Sequence, residues 1–130
     1  MTSSKPEWED APDISERIKY LLSVVDMPWV IKSRVFCFRS YQSSARAYAR
    51  IWGFNKVWQL ALDQDPAYVI EVLSEKYDGL PKHKQDEVLL HELCHIPKTF
   101  SGALLPHTHK GHGSFHGKLR QLVSAYKKSR

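Results

Sequence analysis

The segment KHKQDEVLLHELCHI, residues 82–96, decides how the rest of this chain is interpreted. Its apolar residues recur at helical spacing, which predicts a helix with one apolar face, formed by Val88, Leu89, Leu93 and Ile96. Pro97 follows directly and forces the helix to end. Within the segment, HELCH matches the HExxH pattern. Because His91 and His95 are four residues apart, their imidazoles lie on one face of the helix, with about 5–6 Å between Cβ atoms.

The two histidines have the separation that a metal ion requires. Two imidazole nitrogens so placed can both reach one Zn²⁺ at roughly 2.0–2.1 Å. Glu92 lies beside them but off the metal axis, where a carboxylate can accept a proton instead of ligating. Cys94 is a further candidate ligand, although a cysteine in such an apolar context is more often a small core residue. The sequence therefore predicts a zinc site on this helix, with Glu92 as the general base.

A catalytic zinc needs a third protein ligand and an open coordination position. No Asp or Glu follows Glu92, so the candidates are the downstream histidines His107, His109, His112 and His116. The longer pattern HExxHxxGxxH fails, because Lys98 and Ser101 stand where it requires Gly and His. We favour His112, because a glycine on each side lets the backbone turn its imidazole toward the HELCH helix. His107, His116 and then His109 remain open as alternatives.

The other segments predict an α+β fold. Asp13 can cap an N-terminal helix that runs to about Asp26. The second half of WVIKSRVFCFRS, the segment KVWQLAL and the segment AYVIEVLS are typical of strands, whereas ARAYARIWGF is ambiguous between helix and strand. A basic helix, SFHGKLRQLVSAYKK, follows the histidine-rich loop. The expected order is one helix, three or four strands, the HExxH helix and a C-terminal helix.

Length and composition indicate a flexible N-terminal arm over residues 1–12 and a single domain over residues 13–130. The polar N-terminus does not resemble a secretory signal, and no apolar run approaches the roughly 18 residues of a membrane span, so we expect a cytoplasmic protein without a membrane partner. In that compartment Cys37 and Cys94 should be reduced. The four tryptophans have apolar neighbours in the sequence, which favours positions in the core.

Charge is distributed unevenly along the chain. The net charge is +5, and residues 93–130 contain seven Lys and Arg but no Asp or Glu. Such a segment can face an anionic partner such as DNA or another polyanion. One alternative function is therefore a nucleic-acid-associated zinc protein without proteolytic activity, and another is an inactive zincin that regulates a partner.

Two stretches resemble known families of metallopeptidases. HELCH followed after a short loop by GHGSF resembles the SprT-like zincins, in which a His-Gly segment supplies the third ligand. More closely, YVIEVLSEKYDGL…HELCHIPKTFSGALLPH is similar to small metallopeptidases of phages and of archaeal and bacterial genomes, and the likeness covers about residues 34–126. It implies a minimal zincin, with a small mixed sheet, the HExxH helix packed against it and an active-site groove beside an edge strand. Phe115 lies three residues after His112 instead of four, which keeps His107 and His116 open.

Together these features predict a zinc-dependent metallopeptidase that hydrolyses peptide bonds in a polypeptide substrate. His91, His95 and His112 would hold Zn²⁺, and Glu92 would deprotonate the zinc-bound water for attack on the peptide carbonyl. Tyr126 or a spare histidine is a candidate donor to the oxyanion. The imidazoles need partners that orient them, and the candidate carboxylates are Glu71, Glu75, Asp78 and Glu87.

Overall fold

The computed structural model describes residues 7–107 and 115–129, which form four strands and five α-helices. In chain order they are β1 (Glu7–Asp10), α1 (Pro12–Val24), β2 (Val35–Tyr41), β3 (Ala49–Gly53), α2 (Lys56–Leu62), β4 (Tyr68–Leu73), α3 (Ser74–Tyr77), α4 (Lys82–Leu93) and α5 (Phe115–Ser129). The predicted α+β class is confirmed. None of the helices in these residues is long and apolar enough to cross a membrane.

The strands form one mixed sheet in the order β1-β2-β4-β3. β1 is antiparallel to β2, β2 is parallel to β4, and β4 is antiparallel to β3. Within the described residues β3 pairs with β4 alone, so it is an edge strand. Because α4 packs beside β3, the HExxH helix lies next to this edge.

One face of the sheet packs against α1 and α4, and α5 packs against both of these helices at the core. Alternate residues of the central strands point into it, as expected for a sheet covered on one side. The buried apolar side chains include Val35 and Cys37 of β2, Ile70 and Val72 of β4, Ile14, Ile18 and Leu21 of α1, and Leu89, Leu90 and Leu93 of α4. The apolar face of α4 thus packs in this core and holds the helix against the sheet.

A buried ion pair joins the three long helices. The guanidinium of Arg17 in α1 donates two hydrogen bonds, of 2.7 and 2.6 Å, to the carboxylate of Asp86 in α4. The hydroxyl of Tyr126 in α5 donates to the same carboxylate at 2.5 Å. Asp86 is fully buried, so its charge depends on these partners. Their hydrogen bonds fix where α4 and α5 lie relative to each other.

Two local predictions, a strand at KVWQLAL and a cap at Asp13, differ from the structure, and one ambiguous segment is resolved by it. KVWQLAL is the helix α2, not a strand, because Asn55 accepts a hydrogen bond from the Trp58 backbone N–H and caps it. The ambiguous ARAYARIWGF contains strand β3. The N-terminal helix begins at Pro12, and the Asp13 carboxylate binds Arg39 instead of capping. Secondary structure also begins within the predicted arm, at β1, although the flexibility of the arm stays a prediction.

The second face of the sheet carries exposed aromatic side chains. Trp8 of β1 and Trp52 of β3 lie there with their ring centroids 6.2 Å apart, and both are about half exposed. Trp58 is also exposed, on α2. The expectation that the tryptophans lie in the core is therefore wrong for these three. The described helices do not cover this face of the sheet, and the apolar neighbours of the tryptophans in the sequence do not indicate which face is covered.

Candidate metal centre

The end of α4 presents the HELCH side chains as the sequence predicts. The ring centroids of His91 and His95 are 5.3 Å apart. Regular helix ends at Leu93, and the next turn is tighter, with the His95 N–H donating to the Glu92 carbonyl at 3.1 Å. The predicted helix is confirmed, although His95 lies just beyond its last regular residue.

The loop after α4 brings a third histidine to this pair. His107 Nε2 lies 3.0 Å from His91 Nε2, and one ring nitrogen of each of His91, His95 and His107 lies within 4.8 Å of the others. The loop is held by the hydroxyl of Tyr68, which donates to the Ala103 carbonyl at 2.7 Å. The returning backbone is anchored again by a 2.8 Å hydrogen bond from the Leu105 N–H to the His95 carbonyl.

Glycine is required where this loop turns. Gly102 has a φ of +93°, a conformation that L-residues rarely adopt. A Cβ atom there would collide with the Phe54 carbonyl oxygen and the Gln59 side chain. The loop can therefore pass close to the end of β3 only because Gly102 has no side chain.

The orientation of His95 is set by backbone and not by a carboxylate. Its Nδ1 lies 2.5 Å from the carbonyl oxygen of Leu105. Since a carbonyl can only accept, Nδ1 carries the hydrogen and Nε2 keeps its lone pair for a metal ion. Sequence reasoning missed this partner, because a backbone carbonyl ten residues away has no signature in the residue types.

Burial keeps the histidines in the form that a metal ion needs. It lowers the pKa of His91 to about 4, with a smaller effect from the neighbouring imidazoles. Burial also lowers the pKa of His95, although the hydrogen bond to Leu105 opposes it. Both rings are therefore neutral at pH 7, and each has a lone pair on one ring nitrogen.

The described histidines fit a tetrahedral metal. Two nitrogens bound to one tetrahedral Zn²⁺ at 2.0–2.1 Å would stand about 3.3 Å apart. The separation of 3.0 Å between His91 and His107 is close to that value. Phe115, the first residue of α5, packs against all three rings with centroid separations of 4.4–5.0 Å and closes the apolar side of the cluster. Imidazole donors suit several transition metals, zinc among them.

Glu92 lies beside this cluster and faces the same groove. Its Oε2 atom is 4.0 Å from His91 Nε2, and the residue is 8% exposed. Burial raises the pKa of its carboxyl to about 8. A bound cation would lower that pKa. A buried carboxylate beside a metal site can accept a proton and later release it.

Two of the candidate third ligands, His109 and His112, lie outside the described residues, so the prediction of His112 stays a prediction. His116 is described, on α5, with its ring stacked 6.3 Å from that of His107. Cys94 is buried, and burial raises the pKa of its thiol to about 12, which disfavours the thiolate. Both cysteines are free, as predicted.

The structure gives other roles to several residues proposed as accessories. The hydroxyl of Tyr126 is bound to buried Asp86, so the prediction that it donates to an oxyanion is wrong. Glu71 accepts hydrogen bonds from Arg50, Ser40 and Trp52 on the uncovered face of the sheet. The remaining carboxylates bind elsewhere or line the groove: Asp78 binds Arg39 and Ser74, Glu75 accepts from the Gln42 backbone, and Glu87 is a groove residue.

A groove of about 1090 Å³ opens over the cluster. Its walls come from β3, α4, α5 and the loop after α4, and His91, Glu92, His95 and His107 all line it. The lining is mostly apolar, with side chains that include Ile51, Val88, Leu104, Leu119 and Val123. An extended ligand in this groove would lie between the edge strand β3 and the histidine cluster.

Comparison with protein-family models gives one match. The family is described as putative phage metallopeptidase, and its model matches residues 6–127. No curated protein and no solved structure matches the chain. The matched range includes every strand and nearly all of α5, together with the histidine cluster.

Proposed function

The chain belongs to the phage metallopeptidase family, and we propose that it is a zinc peptidase in which His91, His95 and His107 hold the metal. The observation that carries the proposal is the convergence of three imidazoles within 4.8 Å, at the floor of a groove that also contains buried Glu92. We choose His107 as the third ligand because, among the described residues, it is the downstream histidine whose ring nitrogen lies in this cluster. His112 stays the alternative predicted from the sequence.

The chain supplies both metal ligands and a proton carrier. When bound, zinc supplies a Lewis acid that polarises the scissile carbonyl and acidifies a coordinated water. Glu92 would accept a proton from the attacking water and pass it to the leaving amine. The Leu105 carbonyl keeps His95 in the tautomer whose Nε2 ligates. Phe115 excludes water from the apolar side of the rings.

The edge strand β3 gives a polypeptide substrate a place to bind. An extended peptide can add to an exposed sheet edge through main-chain hydrogen bonds, which depend little on side chains. Residues 47–51 line the same groove as Glu92 and the histidines. A substrate strand beside β3 would carry its peptide carbonyls past the metal site.

Three further predictions from the sequence remain part of this proposal. The likeness to SprT-like zincins and the cytoplasmic location both stay predictions. Binding of DNA or another polyanion is a second proposal, supported by the exposed cations of α5, which are Lys118, Arg120, Lys127 and Lys128. A DNA mobility shift that weakens steeply with salt would support this proposal, and the absence of any shift at low salt would contradict it.

The decisive experiment compares wild type with Glu92→Gln. We expect the variant to bind one equivalent of zinc as tightly as wild type, because Glu92 is not a ligand, and to hydrolyse an unfolded protein at least about 100-fold more slowly. Glu16→Gln, which changes an exposed glutamate of α1, is the matched control. Equal rates for wild type and Glu92→Gln, or a zinc-loaded wild type that cleaves no unfolded protein, would contradict the proposal.

A further inference from the structure

Helix α2 has its apolar residues on the outside. In an ordinary surface helix the apolar stripe faces the core, whereas the one buried residue of α2 is the polar Gln59. Four large apolar side chains of this helix lie mostly in solvent, with exposed fractions of 73% for Val57, 56% for Trp58, 70% for Leu60 and 55% for Leu62. We refer to these four side chains as the α2 patch.

The orientation of α2 is fixed by specific hydrogen bonds. Asn55 caps its N-terminus at 3.1 Å, and Asp63 ends it in the left-handed conformation. The Gln59 side chain donates to the carbonyls of Phe54 and Ser101 at 2.6 and 2.9 Å. Because these hydrogen bonds attach α2 to the fold through Gln59, the α2 patch faces solvent.

The size of the α2 patch distinguishes between classes of partner. At these exposed fractions it presents roughly 400–500 Å² of apolar surface, which is large for a single cluster on a monomeric protein. A stable complex buries about 800 Å² on each partner. The patch alone is therefore too small for a stable dimer and fits a segment that binds transiently.

Helix α2 follows the strand that borders the groove. β3, which borders the groove, ends at Gly53, and α2 begins three residues later at Lys56. Leu104, a groove residue, packs 3.4 Å from the position that a Cβ of Gly53 would occupy. A polypeptide that pairs with β3 and continues past Gly53 therefore reaches α2 within a few residues.

We infer that the α2 patch binds apolar side chains of an unfolded polypeptide substrate that extends beyond the groove. The inference rests on the proposed function, and it names the substrate class as long, apolar, unfolded chains. Peptides that only fill the groove would not use the patch.

The test measures binding separately from hydrolysis. The double variant Trp58→Ser/Leu60→Ser is built in zinc-loaded Glu92→Gln protein, and fluorescence anisotropy follows fluorescein-labelled, reduced and carboxymethylated α-lactalbumin. We expect the Kd to rise roughly 5- to 30-fold, the usual effect of removing central apolar contacts. Ile31→Ser, which removes a half-exposed apolar side chain elsewhere, is the matched control and should leave the Kd unchanged.

The same variants are then compared without the Glu92 change. We expect kcat/KM to fall more for α-lactalbumin than for an eight-residue peptide. An unchanged Kd and an unchanged ratio of the two kcat/KM values would overturn the inference. Two other results would also overturn the inference, if the double variant binds α-lactalbumin as wild type does. In the first, sedimentation shows that wild type is a dimer and that the double variant is not. In the second, wild type binds phosphatidylcholine–phosphatidylglycerol vesicles and the double variant does not.

The outcomes also separate this inference from the proposed peptidase function. If wild type binds α-lactalbumin through the α2 patch but cleaves nothing, the peptidase function fails and the docking surface is supported. If wild type cleaves α-lactalbumin and the double variant does so with the same kcat/KM, the docking surface fails and the peptidase function stands.

Discussion

Replacing His107 by alanine tests the identity of the third metal ligand. His107 is exposed and lies in a loop, so its removal should leave the fold and its stability nearly unchanged. It does remove the imidazole nitrogen that lies 3.0 Å from His91 Nε2. We therefore expect a folded protein with a specific loss of zinc affinity.

The size of the loss follows from the number of ligands. Four-ligand zinc sites in small domains bind with about 10–16 kcal/mol of apparent free energy, which is about 2.5–4 kcal/mol per ligand. At 1.4 kcal/mol per factor of ten, losing one ligand weakens binding roughly 100- to 1000-fold. His91 and His95 remain as a two-histidine site on α4, so we expect weakened and not abolished binding.

The assay is a competition titration of zinc against a chromogenic chelator at fixed pH. His112→Ala is measured in parallel, since the sequence favours that residue, and His83→Ala, an exposed histidine at the start of α4, controls for nonspecific effects. Wild-type affinity in His107→Ala together with a 100-fold loss in His112→Ala would refute the argument from the histidine cluster. Large losses in both variants would indicate a site with four protein ligands, which disfavours hydrolysis.

Three other predictions concern the residues that position the site. Asp86→Asn should lower the free energy of unfolding by about 3 kcal/mol in urea denaturation at pH 7, because it leaves the Arg17 guanidinium without its buried partner; a change below about 1 kcal/mol would contradict this. Burial alone would raise the pKa of Asp86, but the hydrogen bonds from Arg17 and Tyr126 outweigh it and hold the pKa below its ordinary value of 3.8. The stabilisation by the Asp86 carboxylate is therefore complete above pH 3.8 and is lost as the pH falls through the lower pKa of the folded state. The difference in free energy of unfolding between wild type and Asp86→Asn should then shrink below about pH 4, which acid titrations followed by circular dichroism measure. Gly102→Ala should destabilise the fold by about 1–3 kcal/mol and weaken zinc binding, because the loop that carries His107 must move, and unchanged thermal stability would contradict the steric argument.

Sequence reasoning succeeded where the signal was local. The spacing of apolar residues placed the HExxH helix correctly, and His91, Glu92 and His95 line one groove. It failed for KVWQLAL, since the alternation of apolar residues suggested a strand, whereas the cap at Asn55 and the contacts of Gln59 make a helix. Three tryptophans expected in the core are exposed, because exposure depends on which sheet face the helices cover.

Prediction of the third ligand from the sequence is limited in the same way. Glycine placement favoured His112, which lies outside the described residues, and among those described the structure brings His107 to the pair. That approach depends on the Tyr68 hydroxyl, the positive φ of Gly102 and the two hydrogen bonds between Leu105 and His95. Each of these joins residues from different parts of the fold, and none leaves a pattern in the spacing of histidines.

The amino-acid sequence by itself determined the helix with two histidines and an adjacent glutamate, because four-residue spacing on a helix is a property of local backbone geometry. Tertiary structure alone decided which of the described loop histidines joins them, which carbonyl orients His95 and which strand borders the groove. These features depend on contacts between distant segments, and such contacts form only when the sheet and the helices pack together.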